Sequence, residues 1–455
     1  MDGSARVTNR RRAFVLGGGV AGLTAAFGLA DRGYDVTLFE SRKQCGGRAF
    51  SSEERDTGRR LDNGFHVMLG CYRGMRALLR RLGSEHGAQQ EDRLAMTYRF
   101  GPHRSTSLKL SRLPVPLAMP LAMMRLGIPL GARLRAFRGM ASVMFGAPKE
   151  WTVTDWLQKR GQHGEPDQVM WRPLCRAVMN VDPELASASD FLVTLREAFT
   201  GRASSAALWI PTRPWSELLG DPAPRALADA GVTLCTGSRV TGLQVTGQRV
   251  TAIQFEGECV DVGADDLVIS AMPWFALRKL THEEPSKFGN HEFGSLDSAP
   301  IVSVYFTMAD APHPHEGPPD EGPVVALVGG EPFHFLLRTP GDPIGRFVLL
   351  SGGDRSLDGK TVAEIEMIAK QQLKTFYGDG VLSDALEKAH VRIRKEQHAT
   401  FVASPNSDAM RPAPGRLHGG PENLLVCGDW TATGLPATLE GGVRSAEKLL
   451  STLNG

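Results

Sequence analysis

The order of apolar and polar positions divides the chain into recognisable elements. Ala13-Phe14-Val15-Leu16 reads as a short buried strand, and Leu23 to Arg32, rich in Ala and Leu, as a helix stopped by Gly33. Asp35 to Phe39 is a second strand-like run, ending at Glu40. Tyr72 to Leu82 sets Met75, Leu78, Leu79 and Leu82 at helical spacing, and a helical region is expected from Thr154 to Gly201. From Val232 to Ala271 the period changes to two: VTLCTG, SRVTGLQVTG and QRVTAIQF predict a meander, and DDLVISAMP a return strand. Residues 299–398 mix strands such as IVSVYFTM and RFVLLSG with one clear helix, Val362 to Phe376. Asn423 to Asp429 reads as a buried strand ending in Gly-Asp, and Thr438 to Leu453 as a closing helix.

The opening stretch allows three readings. A basic cluster followed by 18 uncharged residues, Ala13 to Ala30, suits a secretory signal or a membrane span as well as a strand, turn and helix. The glycines decide, because Gly17, Gly19 and Gly22 fit G-x-G-x-x-G between the strand and the helix. Gly17 permits the tight turn, Gly19 lets the backbone approach a pyrophosphate, and Gly22 allows close packing of helix on strand. Val20 and Ala21 begin the helix, whose free N–H groups face the phosphates. Glu40, about 20 residues on, is placed for the ribose hydroxyls.

Three further features favour FAD over a nicotinamide cofactor. Gly46-Gly47-Arg48 brings a cation and backbone N–H groups to a diphosphate. The meander from Val232 is an insertion that simple NAD dehydrogenases do not need. The ending LVCGDWTATGLPATLEGG delivers Asp429 to the cofactor, and Thr438 to Gly441 open a helix whose positive end could face the flavin pyrimidine. These features give an expected cofactor-binding set of Gly17, Gly19, Val20, Ala21, Gly22, Glu40, Ser41, Arg42, Gly46, Gly47, Arg48, Gly428, Asp429, Thr438, Leu439 and Gly441, to which the family resemblance given below adds Asn63, Gly64 and Val240. No second G-x-G-x-x-G serves a nicotinamide nucleotide, so a reductive enzyme would draw electrons from a separate reductase or diffusible donor.

Composition narrows the classes. With 455 residues the chain suits two interleaved domains, and 42% hydrophobic with 22% charged residues describes a soluble globular protein. A net charge of +2 gives no case for nucleic acid. Cys45, Cys71, Cys175, Cys235, Cys259 and Cys427 show neither C-x-x-C pairs nor metal-ligand spacing, which fits reduced thiols in a cytoplasmic protein without a metal site. Residues 1–12 are expected to be a disordered basic tail. The segment 113–145 is rich in Pro, Met and Leu, and with Arg112 just upstream its charges are all positive. It reads either as a membrane-interface region or as core helices lining an apolar pocket, and the two agree if the pocket opens toward the cytoplasmic membrane surface.

Nearly the whole chain resembles the flavin amine oxidase and phytoene desaturase superfamily. LDNGFHVMLGCYRGMRALLRRLG, WRPLCRAVMNVDPELASASDFLVTLREAF and GDWTATGLPATLEGGVRSA are similar to its squalene-associated branch, the hydroxysqualene dehydroxylases of hopanoid and squalene synthesis. Phe65 stands where Gln is frequent, and Gln397-His398 where a basic pair is commoner. The resemblance implies an α/β fold: a Rossmann-like FAD-binding domain (13–110, 215–298 and 399–455) interleaved with a mixed α+β substrate domain (111–214 and 299–398). It also implies a long isoprenoid substrate whose allylic hydroxyl leaves as water and is replaced by hydride. Asp62 and His66 are then candidates for the acid, with His398 or a bound water as alternatives. Equally, Asn63-Gly64 could only shape a turn while His66 packs on the ring and bonds to backbone. Cys427 reads as core, and the Met and Leu residues from Leu117 to Met144 would line the lipid entrance. A polyene desaturase, a flavin amine oxidase and a flavin-binding protein without turnover are the competing readings.

Overall fold

The computed structural model describes residues 10–289, 292–308, 321–343, 345–378 and 385–454. Residues 1–9 of the expected basic tail lie outside these, while Arg12 already begins the first strand. That strand, Arg12–Leu16, lies near the middle of a six-stranded sheet. The order is Val232–Thr236, Asp35–Glu40, Arg12–Leu16, Leu267–Ser270, Leu424–Val426 and Gly415–Arg416, all parallel except the last. Parallel strands covered on both faces need continuous apolar runs, which Ala13 to Leu16 and Leu267 to Ile269 supply. VTLCTG therefore belongs to this sheet rather than to the meander, which comprises Gly242–Thr246, Arg249–Gln254 and Cys259–Asp261.

The second layer is a seven-stranded mixed sheet ordered His390–Phe401, Ser298–Thr307, Arg346–Gly352, Phe335–Leu337, Val324–Leu327, Ala95–Gly101 and Arg104–Lys109. The last two strands, expected within the FAD-binding domain, join the substrate sheet because Ala95–Gly101 pairs in parallel with Val324–Leu327. One face of the sheet, with Val302, Val304, Phe306 and Leu349, packs with Ile365, Ala369 and Leu373 of helix Val362–Tyr377. The opposite face, with Tyr98, Ala326, Phe335, Leu337 and Val348, shares a core with Phe14, Leu16 and Phe39 of the six-stranded sheet.

The expected helical region is interrupted by loops. It holds Val153–Lys159, Arg172–Met179 and Ala188–Phe199, and Asn180 ends the second of these in a left-handed conformation at φ 51°. The Asn180 amide crosses between segments, donating to the Pro300 carbonyl (3.3 Å) and the Thr400 hydroxyl (3.0 Å). Arg411, wholly buried, is a second tie. It donates to the carbonyls of Thr431 and Leu435, each at 2.7 Å, and pairs with Asp190 at 3.3 Å. It thereby fixes the loop that follows Asp429.

Candidate functional site

The glycine turn forms as its spacing dictates. Gly17 has φ +106° and donates its N–H to the Phe39 carbonyl at 2.8 Å, so the turn is anchored to the neighbouring strand. Helix Val20–Ala30 has Gly19 at its N-cap and no side chain bonded to its first turn, which leaves N–H groups free for an anion. Gly46 donates to the Gly18 carbonyl at 2.8 Å, laying the Gly46-Gly47-Arg48 loop on the turn. A Cβ on Gly47 would lie 3.0 Å from the Gly19 Cα, so side chains on this pair of glycines would fill the cradle.

Glu40 is buried and held from two sides. One carboxylate oxygen accepts from the Gly18 N–H (2.7 Å), the other from the Arg42 N–H (2.8 Å) and the Ser41 hydroxyl (3.1 Å). This fixes the carboxylate oxygens at the end of the strand, where ribose hydroxyls are expected. Gly237 and Ser238 donate to the carbonyls of Arg42 and Glu40, both at 2.9 Å, and bring the loop bearing Val240 alongside. Arg48 pairs with Asp429, donates to the Ala399 carbonyl at 2.8 Å and thus joins the two terminal thirds of the chain. Gly428 donates to the Ser445 hydroxyl at 2.9 Å, and Thr438 caps Gly441 at 2.9 Å, with Leu439 beginning the helix. Glu440, two residues beyond the cap, is buried and accepts from the N–H groups of Gly74 (3.2 Å) and Met75 (2.9 Å), tying the closing helix to helix Arg73–Leu82.

The Asp62 to His66 stretch takes up roles that its spacing does not reveal. One Asp62 oxygen accepts from the Ser51 hydroxyl (2.6 Å) and the Trp215 N–H (2.9 Å), so the carboxyl pins a hairpin to the Trp215 segment. Burial pushes this carboxyl up to about 6. The His66 ring shares a 2.7 Å hydrogen bond from Nδ1 to the Gly64 carbonyl and meets Trp215 edge-on at 5.7 Å. Burial lowers the ring to about 4, so it is neutral near pH 7, with Nδ1–H donating and Nε2 left as an acceptor. Neutral His66 presents Nε2 as an acceptor. Asn63 donates to Glu396 Oε2 at 3.2 Å, while its own Oδ1 is buried without a partner among the described residues. Such an orphaned acceptor calls for a ligand donor, and FAD carries both N–H and O–H groups.

The pinning role has a testable consequence. Asp62→Asn keeps an acceptor for Ser51 and Trp215, so it should retain flavin and turnover within about threefold. Asp62→Ala leaves both donors unpaired and should lose about 1–3 kcal/mol of stability. Because the folded carboxyl is raised from 3.8 to about 6, its contribution is fully present below 3.8 and lost as pH rises through 6. Melting temperatures of wild type and Asp62→Asn across that range check this: only the wild type should show this loss.

The sheet above this stretch is polarised along one face. Ile301, Ser303 and Tyr305 of one strand oppose Glu396, Arg394 and Arg392 of the next. Tyr305 donates to the Asp62 carbonyl at 3.0 Å, and Arg394 to the Ser52 hydroxyl at 3.0 Å. In the other direction the same rows continue through Leu350 and Val348 to Phe335 and Leu337, then Ala326 and Tyr98. A charged end therefore sits beside Asn63 and His66, and an apolar end leads away from it. The sequence reading missed Glu396, because RKEQH looks like a solvated charge run. Only the register opposite Ile301 and the bond to Asn63 reveal its place.

A glycine turn on a parallel sheet, a buried acid at the end of the neighbouring strand and a second, mixed sheet define a two-domain dinucleotide-dependent oxidoreductase. Residues 20–448 match the family described as flavin containing amine oxidoreductase. The chain belongs to that family, and the cradle fits the dinucleotide form of its cofactor, FAD. It is 30% identical to hydroxysqualene dehydroxylase of Rhodopseudomonas palustris, over 95% of this chain and 96% of that one. Identity to the Sinorhizobium fredii enzyme of the same name is 28%, with the same coverage. Zeta-carotene desaturase of Capsicum annuum is 26% identical over 48% of this chain and 39% of its own. Among solved structures, a Methanosarcina mazei oxidoreductase superposes with TM-score 0.71 at 15% identity, covering 98% of this chain and 100% of that one. A putrescine oxidase variant gives 0.70 at 13% identity, covering 98% of this chain and 99% of that one.

Proposed function

We propose that this chain is an FAD-dependent hydroxysqualene dehydroxylase, converting the allylic alcohol to squalene and water. The observation that carries this reading is end-to-end similarity to relatives of that name, in contrast to half-chain similarity to a desaturase. The polarised sheet face supports it, offering charged groups at one end for a hydroxyl and an apolar row for the hydrocarbon. Bound in reduced form, FAD supplies the hydride that replaces the hydroxyl. The cofactor is held by Gly17, Gly19, Gly22 and Glu40, with the Gly46–Arg48 loop and Asp429, in the roles set out for the cradle. Glu396 gives its carboxyl proton to the departing hydroxyl, which leaves as water. Neutral His66 accepts from the substrate hydroxyl through Nε2 and orients it.

Two electrons per turnover come from a separate donor, since the sequence offers one dinucleotide fingerprint. NADPH alone should therefore leave the flavin oxidised, as absorbance would show. No helix among the described residues is long and apolar enough to cross a membrane. The segment 113–145 instead lies on the cytoplasmic membrane surface and admits the lipid substrate there. Of twelve exposed large apolar side chains among the described residues, nine fall in it, including Leu117, Leu134 and Phe145. The test is an anaerobic single turnover: reduce the flavin chemically, add hydroxysqualene, and follow flavin reoxidation with squalene analysis. Squalene formed in step with oxidised flavin supports the reading. A silent reduced enzyme, with an oxidised form that desaturates polyenes, would replace it.

A further inference from the structure

A shallow cavity of about 430 Å³ lies beside the exposed apolar helices, lined by Arg93, Thr106, Ser107, Lys109, Ser111 and Arg125 among others. Three cations converge on it and no carboxylate lines it. Asp92, the acid next to Arg93 in sequence, is engaged by Arg112 at 2.8 Å. Arg93, Lys109 and Arg125 have no ion pair among the described residues. The Ser111 hydroxyl is buried without a partner among the described residues, a donor left for a ligand oxygen. Thr106 and the 122–127 turn are fixed to each other, because the Gly127 N–H donates to the Thr106 hydroxyl at 2.8 Å.

The cavity is continuous with the apolar face. Arg125 and Ala122 line it, while their neighbours Leu121 and Met124 are exposed at 47% and 42%. Helix Val115–Met123 buries Ala118, Met119 and Ala122 and turns Leu117 and Leu121 outward. No Asp or Glu occurs from residue 113 to 149, so this segment itself adds no carboxylate to repel an anionic surface. We propose that the cavity binds the phosphate of an anionic phospholipid while Leu117, Leu121 and Met124 enter the acyl boundary. Cations on a membrane-facing surface gain from anionic lipid, and a phosphate oxygen satisfies both the guanidinium groups and the Ser111 hydroxyl. The bilayer then fixes the height of the apolar helices, which is where a substrate dissolved in lipid would enter. This inference rests on the membrane contact proposed above and adds the group that is recognised.

The experiment is flotation of the flavin-loaded full chain with vesicles of phosphatidylcholine alone or mixed with phosphatidylglycerol. Wild type should bind the anionic vesicles at least roughly tenfold more tightly, and Arg93→Gln/Lys109→Gln/Arg125→Gln should erase that preference. A control triple, Arg55→Gln/Arg225→Gln/Arg239→Gln, should keep it, and unchanged flavin spectra should show that both variants fold. If the cavity variant binds anionic vesicles like wild type, or the control weakens binding equally, the phosphate site is wrong although membrane contact stands. If wild type floats with neither vesicle, the membrane reading itself fails. Leu117→Ser/Leu121→Ser separates the two parts, since it should weaken binding to both vesicles and leave the preference for the anionic one.

Discussion

Gly22→Val should yield a protein without bound flavin. A Cβ at residue 22 would lie 1.8 Å from the Gly17 carbonyl oxygen and 3.0 Å from its carbon, far inside contact distance. The obstacle is backbone, and it cannot swing aside, because Gly17 is held at φ +106° and bonded to Phe39. Relief requires helix Val20–Ala30 to lift off its strand, which carries the free N–H groups away from the diphosphate. We expect affinity for FAD to fall at least about 100-fold, the loss of several charge-assisted hydrogen bonds. The readout is flavin absorbance per protein after purification, with titration of added FAD. Gly28→Ala is the control in the same helix: its Cβ would meet the Leu450 Cδ1 at 2.2 Å, the mobile end of a side chain that can turn. Yellow Gly22→Val with wild-type flavin content would mean that the helix terminus does not hold the cofactor.

The contrast between these glycines also explains what could be read in the sequence. Gly17, Gly19, Gly22 and Glu40 form one local unit, so their spacing alone specifies the turn, the helix start and the acid. Ala95–Gly101 was not legible in the same way. Its place in the substrate sheet depends on pairing with Val324–Leu327, more than 220 residues away, and no local pattern records such a partner. VTLCTG misled for a related reason: its alternation suits a meander, yet its neighbour is Asp35–Glu40. Asn180 was legible only as the residue that follows W-x-P-L-C in the family resemblance; its positive φ and its bonds to Pro300 and Thr400 depend on distant segments.

The chemistry followed the same division. D-N-G-x-H was legible as a unit, but the duties of its members are assigned by distant partners. Ser51 and Trp215 occupy Asp62, burial makes His66 neutral, and Asn63 points to Glu396 on the far side of the sequence. The motif was therefore legible from local spacing, whereas the partners of its members, more than 150 residues away for Trp215 and more than 330 for Glu396, were not.

That distinction gives Glu396→Gln its expected result: loss of dehydroxylation with the site otherwise intact. Glutamine keeps an oxygen to accept from the Asn63 amide, which stands 3.2 Å from Glu396 Oε2, and gives up only the 3.3 Å bond that Oε1 accepts from the His398 N–H, so the strand and its register opposite Ile301 should persist. It has no carboxyl proton to give. General acid catalysis contributes about 10²–10⁴-fold, and the rate of flavin reoxidation by hydroxysqualene should fall by that factor. Flavin content, and the spectral change when hydroxysqualene binds oxidised protein, should stay within about threefold of wild type. Glu396→Asp should recover part of the rate. A positional role alone would instead weaken substrate binding and leave the reoxidation rate at saturating hydroxysqualene near that of wild type. If Glu396→Gln turns over at the wild-type rate while Asp62→Asn is inert, the proton comes from the buried carboxyl held by Ser51 and Trp215, and the hairpin must open for catalysis.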